Sequence, residues 1–548
     1  MSATTGPSDV ADRAAPRRVI FVASECEPWA KTGGLADVTD ALARALGRAG
    51  VEVDVYLPAY RTATRPAMLE RETLAVPVRG HGGVSAGAGE AAGTEGRDAG
   101  DVATVDILSG PADGYRLRLV DHPFHFDRAG FYGQEGGDYP DNGARFALFC
   151  RAALEAARVE GRPIDVIHGH DWQATLALLY RDAHYRADPV VGQAATVLTI
   201  HNLAYHGWVS RDHFEDLQLP EEVGAPAGVD LLREGIRAAD IVTTVSPTYA
   251  AEALTPEYGM GLDGDLAARG ERFVGIMNGI DPAVWDPATD TALPLRYAVR
   301  ADPARGVAPF EEGKRAAKAD LAARHGLSGA DARPLLGMIG RLDPQKGFDL
   351  VTGAAEGIVD AGALLIVLGT GNAELLRGLR AVAAARPGRI AVIERFDRDE
   401  ARRIYAGSDV FLMPSRFEPS GQGQLIAFRY GTPVVARRTG GLADSVVDAD
   451  PPRAGTAAAA ETGAAGPAGT AAAAGSAAAR PPGNGFLFDE PTPEALLGAV
   501  RRALAVYADR PRWWELRRRV MALDHSWAVP AGAYLEAYRR ATALRRGA

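Results

Sequence analysis

The chain has 548 residues, 47% hydrophobic and 24% charged, the balance of an ordinary globular protein. Lys and Arg number 60 against 70 Asp and Glu, a formal net charge of -10, which excludes a general nucleic-acid coat and a polybasic membrane anchor while leaving room for a local basic pocket. Cys26 and Cys150 are the only cysteines, too few for a disulfide framework or a four-cysteine zinc site. No apolar run approaches the length of a bilayer span. Residues 1–17 lack the apolar core of a signal peptide and read as a disordered tail, so a cytoplasmic protein is expected.

In chain order, residues 18–24 read as a first buried strand, 37–47 as a helix and 51–57 as a second strand. Further apolar strands are predicted at 164–168, 197–201, 241–245 and 274–278. A second series follows at 335–341, 364–369, 390–394, 410–414 and 433–436. Continuous apolar strands alternating with helices predict parallel, doubly wound sheets covered on both faces, with ligands at the carboxyl ends of the strands. Two series predict two Rossmann-like domains, 18–285 and 286–526, parted near the proline-rich segment 285–297. Residues 80–100 hold eight glycines, and residues 451–480 hold 15 alanines and five glycines. Neither composition can build a core, and both read as mobile surface insertions. The last segment, 527–548, reads as a helix with Pro530 in its first turn and with Trp527, Tyr534, Leu535 and Tyr538 on one face. Such a face needs a surface to pack against.

Three loops at predicted strand ends carry chemistry. Lys31-Thr-Gly-Gly-Leu-Ala-Asp37 opens a helix, where Gly33 and Gly34 permit close backbone approach and Lys31 adds a full charge for an anion. Gly340-Arg-Leu-Asp-Pro-Gln-Lys-Gly347 sets Arg341 and Lys346 five residues apart across a turn, so that both can converge on one diphosphate. Ser415-Arg-Phe-Glu-Pro-Ser-Gly-Gln-Gly-Gln424 places Glu418 where a sugar ring could lie, with Ser420, Gly421 and Gly423 freeing backbone amides. Gly369 and Gly371 form a weaker nucleotide-type loop. His168-Gly-His-Asp-Trp172 and His201-Asn202 crowd polar groups at strand ends, with a spacing that does not suit zinc. Asp263-Gly-Asp265 reads as an ordinary loop.

The motifs at 31–38, 168–173, 201–207, 277–281, 340–350, 415–425 and 437–446 resemble those of bacterial glycogen synthases and plant starch synthases, in family order across nearly the whole chain. The resemblance implies an α/β GT-B fold, two doubly wound Rossmann-like domains facing a central cleft. The segment 527–548 would pack back on the N-terminal domain. It implies transfer of glucose, with retention, from ADP-glucose to the non-reducing 4-hydroxyl of an α-1,4-glucan. No cofactor or metal is expected. Lys31, Arg341 and Lys346 would neutralise the diphosphate, lined by Gly33 and Gly34. His201, Asn278 and Glu418 would hold glucose hydroxyls, Asp37 and the Asp171-Trp172 pair would help shape the sugar and acceptor side, and Asn202 is a further expected substrate-binding residue. Gly440, Gly441, Leu442 and Asp444 would form a helix start near the diphosphate. Two departures stand out: Ser420 replaces a frequent Cys, and Gly423 a frequent Thr. Two neighbouring readings share the motifs: a GT-B glucosyltransferase with a small acceptor, of the maltose-1-phosphate synthase type, and a catalytically silent glucan-binding protein. Neither nucleic acid nor membrane is an expected partner.

Overall fold

A computed structural model describes residues 16–66, 68–78, 102–134, 137–450 and 482–547. Residues 1–15 of the tail expected over 1–17 and both expected insertions, 80–100 and 451–480, lie outside these residues, while Pro16 is described and buried. The chain forms two compact units. One runs to Asp281 and resumes at Ser526; the other is Pro282–His525.

The first unit is built on a nine-stranded sheet. Its strands are β1 (Arg18–Val22), β2 (Glu52–Pro58), β3 (Glu70–Pro77), β4 (Val102–Pro111), β5 (Arg116–Asp121), β6 (Val166–His170), β7 (Ala195–Ile200), β8 (Ile241–Thr244) and β9 (Phe273–Gly275). The order is β9-β8-β7-β6-β1-β2-β5-β4-β3. From β9 to β5 all neighbours are parallel. Every residue of β1, β6 and β7 is buried, the condition under which a strand reads as a continuous apolar run. At the other edge β5, β4 and β3 pair antiparallel, so the sheet is mixed and not wholly parallel as expected. β4 alternates exposed and buried residues over much of its length, a weaker signal than a continuous run.

The helix α1 (Gly34–Arg48) starts from Gly33, which is in extended conformation and supplies no side-chain cap; Asp37 in the first turn and Arg48 in the last complement the helix dipole. The C-terminal helix (Ala528–Gly547) belongs to this unit and packs on β7 and β8. Tyr534 and Tyr538 are fully buried, and Trp527 lies just before the first turn. The Tyr538 hydroxyl meets His168 Nδ1 at 2.8 Å, tying the helix to the middle of β6.

The second unit carries a six-stranded sheet of β10 (Leu335–Ile339), β11 (Leu364–Leu368), β12 (Ile390–Ile393), β13 (Val410–Met413), β14 (Val434–Arg437) and β15 (Gly485–Phe488). All pairs are parallel and the order is β12-β11-β10-β13-β14-β15, the doubly wound 3-2-1-4-5-6 arrangement. The chain reverses direction across the sheet between β10 and β13, so the loops leaving these strands diverge and leave a crevice at their carboxyl ends. Gly347 turns the first of these loops into the next helix with φ 71°, and a Cβ there would lie 2.2 Å from the Pro414 carbonyl oxygen. Only glycine fits on both counts.

This unit is braced by Asp409 at the start of β13. Its carboxylate accepts from Lys318 Nζ (2.6 Å), Arg517 (3.1 Å) and the Leu335 amide (2.9 Å), all buried or nearly so. Burial pushes the Asp409 pKa up, but Lys318, Arg517 and the amide outweigh it and hold the carboxyl below its ordinary range. A carboxyl depressed in the folded state stabilises the fold above its unfolded pKa, and that contribution fades as pH falls through the folded value. Asp409→Ala leaves two cations facing each other without their anion and should lower stability by about 3–5 kcal/mol at pH 7. Urea unfolding measures this, and the gap between variant and wild type should narrow at strongly acid pH.

Candidate active site

At the crevice of the second unit, the loops after β10 and β13 bring Lys346 and Glu418 together. Lys346 Nζ donates to both carboxylate oxygens, at 2.9 and 2.7 Å, and the Ser415 hydroxyl donates to one of them at 2.8 Å. Glu418 is buried and Lys346 partly exposed. Arg341, two residues past the end of β10, is exposed and has no hydrogen bond or ion pair among the described residues. The expected diphosphate and sugar groups are therefore in direct contact with each other, with one guanidinium left over beside the same strand ends.

The glycines of this region do two kinds of work. A Cβ on Gly369 would lie 2.2 Å from Gly340 O, and one on Gly371 (φ 144°) 2.5 Å from Leu342 O. Their absence lets the loops after β10 and β11 zip together, through Leu342 N–H to Thr370 O and Asn372 N–H to Leu342 O, both 2.8 Å. Gly440 and Gly441 likewise abut the carbonyls of Glu418 and Ser420, at 2.1 and 2.0 Å from a hypothetical Cβ, and the Gly441 amide donates to Glu418 O at 3.0 Å. The short helix Gly440–Ser445 thus buttresses the Glu418 loop. Leu442 departs from expectation in its side chain, which is fully buried and packs beneath the loop, while its amide bonds Thr439 O. Asp444 is exposed on the same helix. Gly421 has φ 70°, and beside it Ser420 Oγ and Gln424 Oε1 are enclosed without hydrogen-bond partners. Gly423 opens the following helix, Gly423–Arg429, with Phe411 and Met413 3.3–3.4 Å from a hypothetical Cβ.

In the first unit the direction of winding reverses at β1, so the loops after β1 and β6 form its crevice. Lys31 Nζ contacts Asp37 (2.5 Å) and Glu27 (3.4 Å). The Gly33 amide, expected to line a diphosphate, is engaged. It donates to buried Glu25 at 3.0 Å, as do the Thr32 amide (2.5 Å) and hydroxyl (2.6 Å). The Tyr132 hydroxyl adds a fourth bond to Glu25 at 2.7 Å. Sequence reasoning missed Glu25, because nothing local marks a carboxylate that folds back onto amides seven and eight residues on. Gly34 has nothing within 4 Å of a hypothetical Cβ.

Past β6, Asp171 adopts φ 55° and ψ -174°, a region nearly reserved for glycine. Its carboxylate accepts from the His201 amide at 2.7 Å and from the Asn202 amide. Burial pushes its pKa up to about 7 against the pull of those amides, with the Glu25 charge adding to the rise. Asn202 Oδ1 accepts from the Ala204 amide. Trp172 is buried edge-on to Phe146, over Gly207, where any Cβ would meet the indole. Asn278 is buried with Oδ1 lacking a partner; it lies beyond the three-residue β9 and not on a strand over 274–278 as expected. Burial drives His168 and His201 down to about 3 and His170 well below its ordinary value, so all three imidazoles are neutral at pH 7. Asp265 pairs with Arg233 and Arg237 on a short helix, a structural role. Among the described residues no group of three or more His, Cys, Asp or Glu is arranged to hold a metal ion.

Comparison with known proteins points to one family. The family described as "Starch synthase catalytic domain" matches residues 18–268, and "Glycosyl transferases group 1" matches 333–473. Glycogen synthase 2 of Geobacter sulfurreducens is 39% identical over 97% of this chain and 100% of its own length. Glycogen synthase of Thioalkalivibrio sulfidiphilus is 40% identical over 95% and 99%. Among solved structures, the catalytic domain of starch synthase IV from Arabidopsis thaliana, bound to ADP and acarbose, superposes with a TM-score of 0.79 at 31% identity, covering 96% of this chain and 99% of that one. Sucrose-phosphate synthase from Thermosynechococcus elongatus, at 16% identity and a TM-score of 0.55, shares the fold. Two doubly wound units with charged groups at their strand ends are those of a GT-B glycosyltransferase. The chain belongs to the glycogen synthase and starch synthase family, and it is a hexosyltransferase.

The neutral histidines make stability pH-dependent. Each stays unprotonated in the fold while its unfolded counterpart takes a proton below about pH 6.5, so stability is full above that value and falls as pH drops toward 3. Asp171 has the opposite sign, favouring the fold when protonated and losing that contribution as pH rises through about 7. His168→Gln removes one histidine. The slope of unfolding free energy against pH near pH 5 should then flatten by about 1.4 kcal/mol per pH unit, measured by urea unfolding.

Proposed function

We propose that the chain transfers glucose from ADP-glucose to the non-reducing 4-hydroxyl of an α-1,4-glucan, with retention and release of ADP. The starch synthase relative holding ADP and acarbose, a nucleotide and an oligosaccharide analogue, supports this pairing of donor and acceptor. The observation that carries the reading is the unpaired Arg341 beside the Lys346–Glu418 pair at the switch point of the second unit. A guanidinium with no internal anion, at the carboxyl end of a parallel strand, is a ready site for a diphosphate, which it grips with two donors at once. Lys346 then shares its charge between Glu418 and the leaving group.

As the glycosidic bond to phosphate lengthens, positive charge grows on the sugar ring and negative charge on ADP. Cations aimed at the diphosphate bind this state more tightly than the ground state, and that difference is what accelerates the step. Three hydrogen bonds already occupy the Glu418 carboxylate, which blunts it as a nucleophile. Glu418 therefore acts by holding donor hydroxyls and setting the position of Lys346. Retention then follows from same-face attack, in which the departing phosphate oxygen takes the acceptor's proton. His201, Asn202 and Asn278 hold sugar hydroxyls as neutral partners.

ADP release with glycogen as acceptor tests the reading. ADP-glucose should support turnover, and the absence of ADP release with any oligoglucan would overturn it. Arg341→Ala removes one charge-assisted contact of about 1.5–3 kcal/mol, so kcat/KM for the donor should fall about 10- to 150-fold. Glu418→Gln should lower kcat by about 10²-fold, and a variant close to wild type would remove Glu418 from the machinery.

A further inference from the structure

His201 is held at two points by adjacent residues from the end of β6. Its backbone amide donates to Asp171 at 2.7 Å, and its ring nitrogen Nε2 lies 3.1 Å from Nδ1 of His170. The two rings stack at 5.4 Å between centroids and 26° between planes. Among the described residues, Nδ1 of His201 has no hydrogen-bond partner, so this edge of the ring is the one left for a ligand.

His170 is itself fixed without solvent. It is fully buried, between His168 at 4.2 Å and Phe21 at 5.0 Å. His168 in turn is pinned through both ring nitrogens, by the Tyr538 hydroxyl at 2.8 Å and the Thr199 hydroxyl at 2.6 Å. The remaining nitrogen of His170, Nε2, is enclosed and has no partner at all. A buried polar ring is seldom left half-satisfied without a compensating use. Here the one bond it makes is the bond to His201.

One proton lies between two neutral imidazoles. Whichever ring carries it, the bond ties the tautomer of His201 to that of His170, because each neutral ring has one N–H and one lone pair. We propose that His170 is a positioning residue: through this bond it fixes the ring orientation and tautomer of His201, and so the hydrogen-bonding character of the edge that faces the transferred sugar. The inference rests on the reading of His201 as a sugar-holding residue. His170 does not touch substrate; it acts through its neighbour.

Two substitutions separate positioning from packing. The amide of Asn superposes on the Nδ1 side of an imidazole, and that of Gln on the Nε2 side. Asn at 170 can reach His201; Gln places its polar group where His170 has no partner. His170→Asn should keep kcat within about threefold of wild type, while His170→Gln and His170→Ala lose about 10- to 100-fold in kcat with little change in the donor KM. The nitrogen shifts of His201, read by NMR on the full chain, should show a single tautomer in wild type and His170→Asn and a mixture in His170→Gln. If Gln, the larger residue, matches or exceeds Asn, or if the His201 tautomer is the same in all variants, His170 is packing only and the inference fails. His201→Ala is the control for the underlying reading: if it retains wild-type turnover, His201 holds no substrate and the sugar-side assignment falls, whatever the tautomers show.

Discussion

The structure of the second unit depends on how parallel strands reverse their winding. Between β10 and β13 the connecting loops leave in opposite directions, and they are joined by the ion pairs Lys346 with Glu418 and Arg416 with Asp349. A buried carboxylate in such a place needs compensation, and it receives a cation and a hydroxyl. That arrangement leaves the nearby Arg341 uncompensated. On the proposed reading, that guanidinium is the group that takes the donor's diphosphate. The glycines around the crevice follow from the same geometry. They let the loops after β10, β11 and β13 and the helix Gly440–Ser445 lie backbone to backbone, with no room for a Cβ.

The first unit meets the same topological situation with opposite electrostatics. At the ends of β1, β6 and β7 the buried groups are neutral imidazoles and a carboxyl whose pKa burial has raised to about 7. Imidazoles that stay uncharged at neutrality suit hydrogen bonding to uncharged hydroxyls, whereas the Asp171 carboxyl changes its charge close to pH 7. The strained backbone of Asp171 is maintained because its carboxylate is the acceptor for two amides of the loop after β7. Glu25 plays a comparable part for the loop carrying Lys31, gathering Thr32, Gly33 and Tyr132 around one carboxylate.

Much of this was legible along the chain. The parallel strands announced themselves because burial on both faces demands continuous apolar runs, as in β1, β7 and β11. Lys31, Arg341, Lys346 and Glu418 stand out in the sequence as candidates because each lies in a glycine-bearing loop that follows such a run. The antiparallel edge was not legible. β3 and β4 are half-exposed strands separated by the glycine-rich segment, and their alternation is too broken to stand out. Leu442 was read as a binding residue from its motif, and the fold turned it into the core.

The amino-acid order by itself determined which segments become strands and which loops carry charge, since both follow from local periodicity and from residue type. Tertiary structure alone decided the partnerships: Lys346 with Glu418 across 72 positions, His170 with His201 across 31, and Glu25 with the amides of its own loop. Those depend on which strands become neighbours and on which polar groups burial leaves short of a partner. Chain spacing encodes neither, because the neighbour of a parallel strand is chosen by the whole sheet.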